Sequence, residues 1–384
     1  MIDNSNERAR ISVAASPPNA NVTAPLRIGR CGTLLALLLC AWPITSRAQE
    51  VGDAPGIAVG DYHMHIQGPA ATSQIRRMKA AHPELFAGIS EEIGGERDGA
   101  AAVRALDEGG VKEGTLLSEA YVIASPHNAP LPPDLAQLTR RENTFNVRAA
   151  LASGGRLKAF VSVNPLAPNA IAELRYWRHR PGVGGVKLHL GNSGYDPRSA
   201  TDVARLASVF CLANRYDLPV AVHVRNAKDF TLADVQTFID KVLPSIGEDT
   251  IQIAHAGGWG GLDQVTLDGL ALYADAIERH APGTEHLFFD LAAVVLDEKT
   301  DPKLAAGLVA VMRRIGLERF VLGSDWPALS KPADYYRLLR SQLPLEAREW
   351  NILAANEAPY FRQGQTAGPS DPSPGARRHC GSRR

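Results

Sequence analysis

Between about residues 57 and 361, short apolar runs alternate with longer stretches of helical periodicity, and this alternation limits the fold more than any other feature. The runs are Ile57–His63, Gly114–Leu117, Leu157–Val163, Gly185–His189, Pro219–Val224, Thr250–Ala254, His286–Leu291 and Arg319–Gly323. Helical patterns lie at Ala101–Glu108, Asp202–Tyr216, Leu232–Leu243, Leu267–His280, Pro302–Ile315 and Pro332–Gln342. Strands that alternate with helices predict parallel pairing through crossover connections. Eight such units fit a (β/α)8 TIM barrel, a single catalytic domain with elongated βα loops. Such barrels commonly use about 250 residues as one domain. A doubly wound open sheet is the alternative. No Gly-x-Gly-x-x-Gly follows the first strand, which counts against a dinucleotide-binding version of it.

The ends of the chain read differently. Arg27 and Arg30 precede the apolar run Leu34–Ile44, and small residues follow at Ser46 and Ala48. That order predicts a signal peptide over 1–48 with an atypically long N-terminal region, and hence export to the periplasm or beyond. The run is short of the ~20 apolar residues that span a bilayer, so no stable membrane insertion is expected after cleavage, an uncleaved anchor being the alternative. Residues 362–384 are rich in Gly, Pro and Ser and predict a disordered tail. Lys+Arg and Asp+Glu are equal at 41 each, so net charge offers no reason to expect nucleic acid as a partner. Of four cysteines, Cys211 falls in a helical pattern, where a small buried apolar residue is expected, and no disulfide framework is visible.

Polar, metal-competent residues close several of the strands. The first ends in His63 and His65, which alternation along a strand puts on one face. The fourth carries Lys187 and His189, the fifth His223 and Arg225, the sixth His255 before a Gly-rich stretch, and the eighth Ser324-Asp325-Trp326-Pro327. In a barrel these ends converge on one mouth. Each residue also has a plainer reading: His223 as a core histidine, Asp325 as a helix cap, His255 as a loop former, Lys187 as the partner of a carboxylate such as Asp325, and Arg225 as half of a rim ion pair. Asp61 shares the alternation of the histidine pair, and Trp259 and Trp326 could wall the mouth or pack its rim.

The ordered set Asp61-x-His63-x-His65, His223, His255 and Gly323-Ser-Asp325 resembles the amidohydrolase superfamily of metal-dependent TIM-barrel hydrolases over roughly residues 59–362. It is most similar to the amidohydrolase-related branch that includes aminocarboxymuconate-semialdehyde decarboxylase. The resemblance implies that His63, His65, His223 and Asp325 bind a divalent metal, with Zn2+ the first candidate and Mn2+, Fe2+ or Co2+ compatible. It implies a catalytic acid–base role for Asp325 and His255. His255 could instead hold a second ion, and Lys187 could bridge two ions as a carbamate. His189 and Arg225 are then expected to contact substrate, Arg225 favouring an acidic one. The expected function is hydrolysis of a C–N or C–O bond at a carbonyl centre of a small molecule by metal-activated water. Non-oxidative decarboxylation is the alternative, and an exported metal-binding barrel without turnover is the non-enzymatic one. The sequence is silent on oligomeric state, a homodimer being one assembly compatible with barrels of this kind.

Overall fold

The computed structural model describes residues 58–361 apart from 87–88, 91–92 and 226–228. The expected signal and tail, and the start of the first expected strand at Ile57, lie outside the described residues. Eight parallel strands form one sheet in sequence order: β1 (Gly60–Met64), β2 (Glu113–Leu117), β3 (Leu157–Ser162), β4 (Val183–His189), β5 (Val220–His223), β6 (Ile251–Ile253), β7 (Leu287–Asp290) and β8 (Phe320–Val321). All eight fall within a few residues of the apolar runs. Backbone bonds join the last strand region to the first: Tyr62 N–H donates to Leu322 O at 2.9 Å, His65 N–H to Trp326 O at 2.7 Å, and Asp325 N–H to His63 O at 2.9 Å. The sheet therefore closes as a (β/α)8 barrel.

Ten α-helices accompany the strands among the described residues: α1 (Pro69–Ala81), α2 (Gly99–Glu108), α3 (Leu135–Ala152), α4 (Ala170–Trp177), α5 (Ala200–Arg215), α6 (Leu232–Thr237), α7 (Gln264–Glu278), α8 (Pro302–Ile315), α9 (Pro332–Gln342) and α10 (Ala347–Ala355). α8 shows why the pattern was readable. Asp301 caps it by accepting from Lys303 N–H, Pro302 opens it, and Leu308, Val309, Met312 and Ile315 bury one stripe. α3 shows the opposite. Its buried face includes Thr139, Glu142, Asn143 and Asn146, so an 18-residue helix carries little apolar period. The expected helix over Leu232–Leu243 is α only to Thr237. It continues as a π turn over Phe238–Val242 and a 3-10 turn over Leu243–Ile246 that contains Pro244. Cys211 on α5 is half-buried and disulfide-bonded, not the buried free thiol expected.

Two of the three buried apolar clusters among the described residues hold the barrel itself. One lies between the sheet and the helices and includes Met64, Val186, Leu188, Val220, Ile251, Phe289 and Phe320. The other fills the base of the barrel with Tyr62, Leu117, Phe160, Ala221, Phe288 and Val321, joined by Ala358, Tyr360 and Phe361 after α10. Tyr360 stands 4.8 Å, ring to ring, from Phe160, and its hydroxyl donates to Gln252 Oε1 at 2.8 Å. Among the described residues no helix is long and apolar enough to cross a membrane.

Candidate metal centre at the barrel mouth

The carboxyl ends of β1, β4, β5, β6 and β7 and the turn after β8 bring the expected histidines, Lys187 and Asp325 together. The β1–β2 register shifts between Asp61 and Met64, so simple alternation does not carry from Asp61 to the histidine pair. Asp61 turns instead to the backbone, accepting from His63 N–H at 3.2 Å and Ser324 N–H at 3.1 Å. It ties β1 to the turn that carries Asp325. Its complete burial pushes the carboxyl up to about 7 against those bonds.

Three histidines are oriented by acceptors on their Nδ1 side. His63 Nδ1 lies 2.9 Å from Asp290 Oδ2, His65 Nδ1 2.7 Å from Leu117 O, and His255 Nδ1 2.8 Å from Ala292 O. An acceptor there accepts from Nδ1–H, keeps the proton on Nδ1 and leaves Nε2 with its lone pair for a metal. Asp325 Oδ1 sits 3.1 Å from His65 Nε2 and 3.5 Å from His63 Nε2. His63, His255 and Asp325 each offer one ligand atom within 4.8 Å of the others. Imidazole nitrogens with a carboxylate oxygen suit a divalent ion. Among the described residues this is the single cluster with such spacing. His255, expected as an acid–base group or as a second ligand set, thus belongs to the tightest group. His223 stands beside it with ring centroids 4.8 Å apart, and its buried Nε2 has no hydrogen-bond partner. That free nitrogen is a further available ligand, and it counts against a satisfied core histidine.

The electrostatics follow from burial. Burial and the Lys187 charge hold the His63 imidazole down at about 3. Burial, reinforced by His189 and His255, keeps His223 well below its ordinary value, and both rings are therefore neutral. Burial alone would raise the carboxyl groups of Asp290 and Asp325. Hydrogen bonds and the imidazoles around them outweigh it and hold both well below the usual carboxylate range. Lys187 is buried with Nζ 3.4 Å from His63 Nε2, and burial lowers it to about 8. The ion pair with Asp325 considered from the sequence does not form.

Two expected substrate contacts fare differently. His189 is half-buried and stacks on His223 at 4.1 Å with an 8° interplanar angle, which leaves it at the mouth. Arg225 donates to Asp263 Oδ2 at 2.7 Å, and Asp263 caps α7. That bond makes Arg225 one half of an ion pair, the plainer of its two readings. Asp325 does not cap a helix with its side chain, since that carboxylate faces His65. Asp325 and His255 both hold positive φ, 58° and 56°, in the left-handed region that asparagine, aspartate and histidine enter more readily than most residues. Trp326 is buried, whereas Trp259 is exposed and edge-on to His223 at 5.5 Å.

Sequence reading missed Asp290 and Glu119. Asp290 accepts from His63 Nδ1, Gln252 Nε2 at 2.6 Å and His255 N–H at 2.9 Å, so one carboxylate orients two of the three clustered residues. An aspartate closing an apolar strand was the available signal. Glu119 lies just beyond β2, buried, where burial raises its carboxyl against the pull of His65.

An eight-stranded barrel with histidines and a carboxylate gathered at its mouth has the form of a metal-dependent TIM-barrel enzyme. The chain belongs to the amidohydrolase family, whose sequence profile matches residues 61–356. No curated protein matches it in sequence. Among solved structures it is similar to a 5-carboxyvanillate decarboxylase from Sphingomonas paucimobilis, with TM-score 0.57 and 13% identity over 80% of this chain and 99% of that one. A 5-carboxyvanillate decarboxylase from Novosphingobium aromaticivorans, complexed with manganese and 4-hydroxy-3-methoxy-5-nitrobenzoic acid, gives 0.52 and 13% over 81% and 97%. An amidohydrolase from Burkholderia multivorans with bound zinc gives 0.51 and 17% over 77% and 96%. At these identities the likeness shows the fold.

Proposed function

We propose that this chain catalyses metal-dependent, non-oxidative decarboxylation of a small carboxylic acid, with a hydroxylated aromatic acid as the substrate class. The observation that carries this reading is Lys187. It is buried against a single ligand cluster, with no carboxylate in hydrogen-bond reach among the described residues. With Asp325 and Asp290 ionised, Lys187 and a divalent ion would leave about one positive charge, which suits an organic anion. The two decarboxylases of like fold support the same direction.

His63, His65, His255 and Asp325 would hold the ion, with His223 beside them. When bound, it supplies Lewis acidity toward the substrate's oxygens. Asp290, Leu117 O and Ala292 O keep the three imidazoles turned with Nε2 inward. Lys187 balances the substrate's carboxylate charge. Asp325, held ionised beside His65, would take up a proton from the substrate's hydroxyl group or from solvent and pass it to the ring carbon as the C–C bond breaks and carbon dioxide leaves. His189 and the exposed face of Trp259 border the space the ring would enter.

Hydrolysis at a carbonyl centre, placed first from the sequence, would use the same ligands, and its test is shared. Protein reconstituted with Zn2+ or Mn2+ is given hydroxybenzoates and, separately, esters and lactones. Carbon dioxide released in step with acid consumed is expected. Ester or lactone cleavage without carbon dioxide release would replace this reading with hydrolysis. Export belongs to the same proposal, and N-terminal sequencing of the exported fraction is expected to begin at Gln49.

A further inference from the structure

Outside the metal-binding cluster, α1, α2 and α3 border a cavity of about 1470 Å3 whose lining includes none of those ligands. Much of its lining is apolar: Pro69 and Ala70 of α1, Val103 of α2, and Phe145 and Ala149 of α3. The volume exceeds the ~300–1,000 Å3 usual for compact ligands, which leaves room for an extended chain. Arg104 on α2 and Arg141 and Arg148 on α3 line the same cavity. All three are exposed and make no hydrogen bond or ion pair with a described residue. Arg141 and Arg148 are two helical turns apart, about 10 Å along one face of α3.

The acids in the lining do not answer this charge. Glu142 accepts from Gly68 N–H at 2.8 Å and Ala71 N–H at 2.9 Å, and Asp98 caps α2 through Ala101 N–H at 2.9 Å. Gln74 is an independent observation. It lines the cavity, is only 9% exposed, and its buried Oε1 has no hydrogen-bond partner. Its NH2 makes no hydrogen bond to a described residue and is not among the buried unpartnered atoms, so it is the part of the amide that can donate to a carboxylate.

We propose that this cavity binds a long-chain carboxylate, its chain on the apolar lining and its head group among Arg104, Arg141, Arg148 and Gln74. The full-length protein is titrated by calorimetry with dodecanoate below micelle formation, and with dodecanol. One saturable site for dodecanoate is expected, with dodecanol weaker by about tenfold, since charge-assisted bonds to arginine are lost. The double variant Arg104→Glu/Arg148→Glu should weaken dodecanoate by about tenfold or more while metal content and melting temperature hold. His63→Ala should leave dodecanoate binding unchanged, which separates this cavity from the carboxylate-binding mouth. Equal affinity for dodecanol, undiminished binding to the double variant, or loss in His63→Ala would each overturn the proposal. So would binding to phosphatidylglycerol vesicles without binding of free dodecanoate, which would mark a membrane-facing surface instead.

Discussion

The two ends of the barrel are built from the same eight strands and do opposite things. The base is closed by rings: Tyr62, Phe160 and Phe288 meet Tyr360 and Phe361 from beyond α10. The mouth is lined by imidazoles, carboxylates and a lysine, nearly all buried. The base has low polarity and buries large apolar area, which stabilises. The mouth buries charge, which destabilises unless partners answer it. Gln252 stands between them, accepting from Tyr360 OH and donating to Asp290 Oδ2. Stability and chemistry are thus separated along one axis a few residues long, and substitutions at the two ends should separate in the same way.

The largest effect is expected at the mouth. Asp325→Asn should lower kcat by about 10^2–10^4-fold with the melting temperature of the metal-free protein little changed. A fall in stability with activity retained would break the division. At the base, Phe160→Ala should cost about 3–5 kcal/mol in denaturant unfolding while metal stoichiometry holds, because the cavity lies below the ligands. Asp290→Asn should weaken metal binding by about 10–100-fold, measured by competition with a chelator, since it removes the charge and one of the two acceptor oxygens that orient His63 and His255.

The smallest effect is a pH dependence. Asp61 is held at about 7 in the fold against an ordinary value of 3.8. Between these values the folded state keeps a proton that the unfolded state has lost, so this group's contribution favours the fold at low pH and declines as pH rises toward 7. Asp61→Asn in the metal-free protein should flatten that part of the melting-temperature profile. An unchanged slope would show that Asp61 is ionised throughout.

Much of the fold was readable because each strand is a short apolar run at helix-plus-strand spacing. The helices that escaped had a reason to escape: α3 turns Glu142, Asn143 and Asn146 inward, so polarity no longer marks its exposed side. In the site, the paired histidines of β1 and the Ser-Asp turn after β8 were visible as local patterns. Asp290 had only its place at a strand end. Arg225 had two readings that sequence could not separate, because Asp263 is 38 residues away and its carboxylate was not known to be near.

The sequence by itself determined the repeating strand–helix order and the kinds of donor atom at the strand ends. Local periodicity carries both. Only the tertiary structure decided which nitrogen of each imidazole faces inward, that His255 joins His63 and Asp325, and that Lys187 meets a histidine rather than a carboxylate. Those outcomes depend on groups from Leu117, Ala292 and Asp290, remote in the chain from the histidines they orient. A hydrogen bond is made or lost over a few tenths of an ångström, a precision that spacing along the chain does not encode.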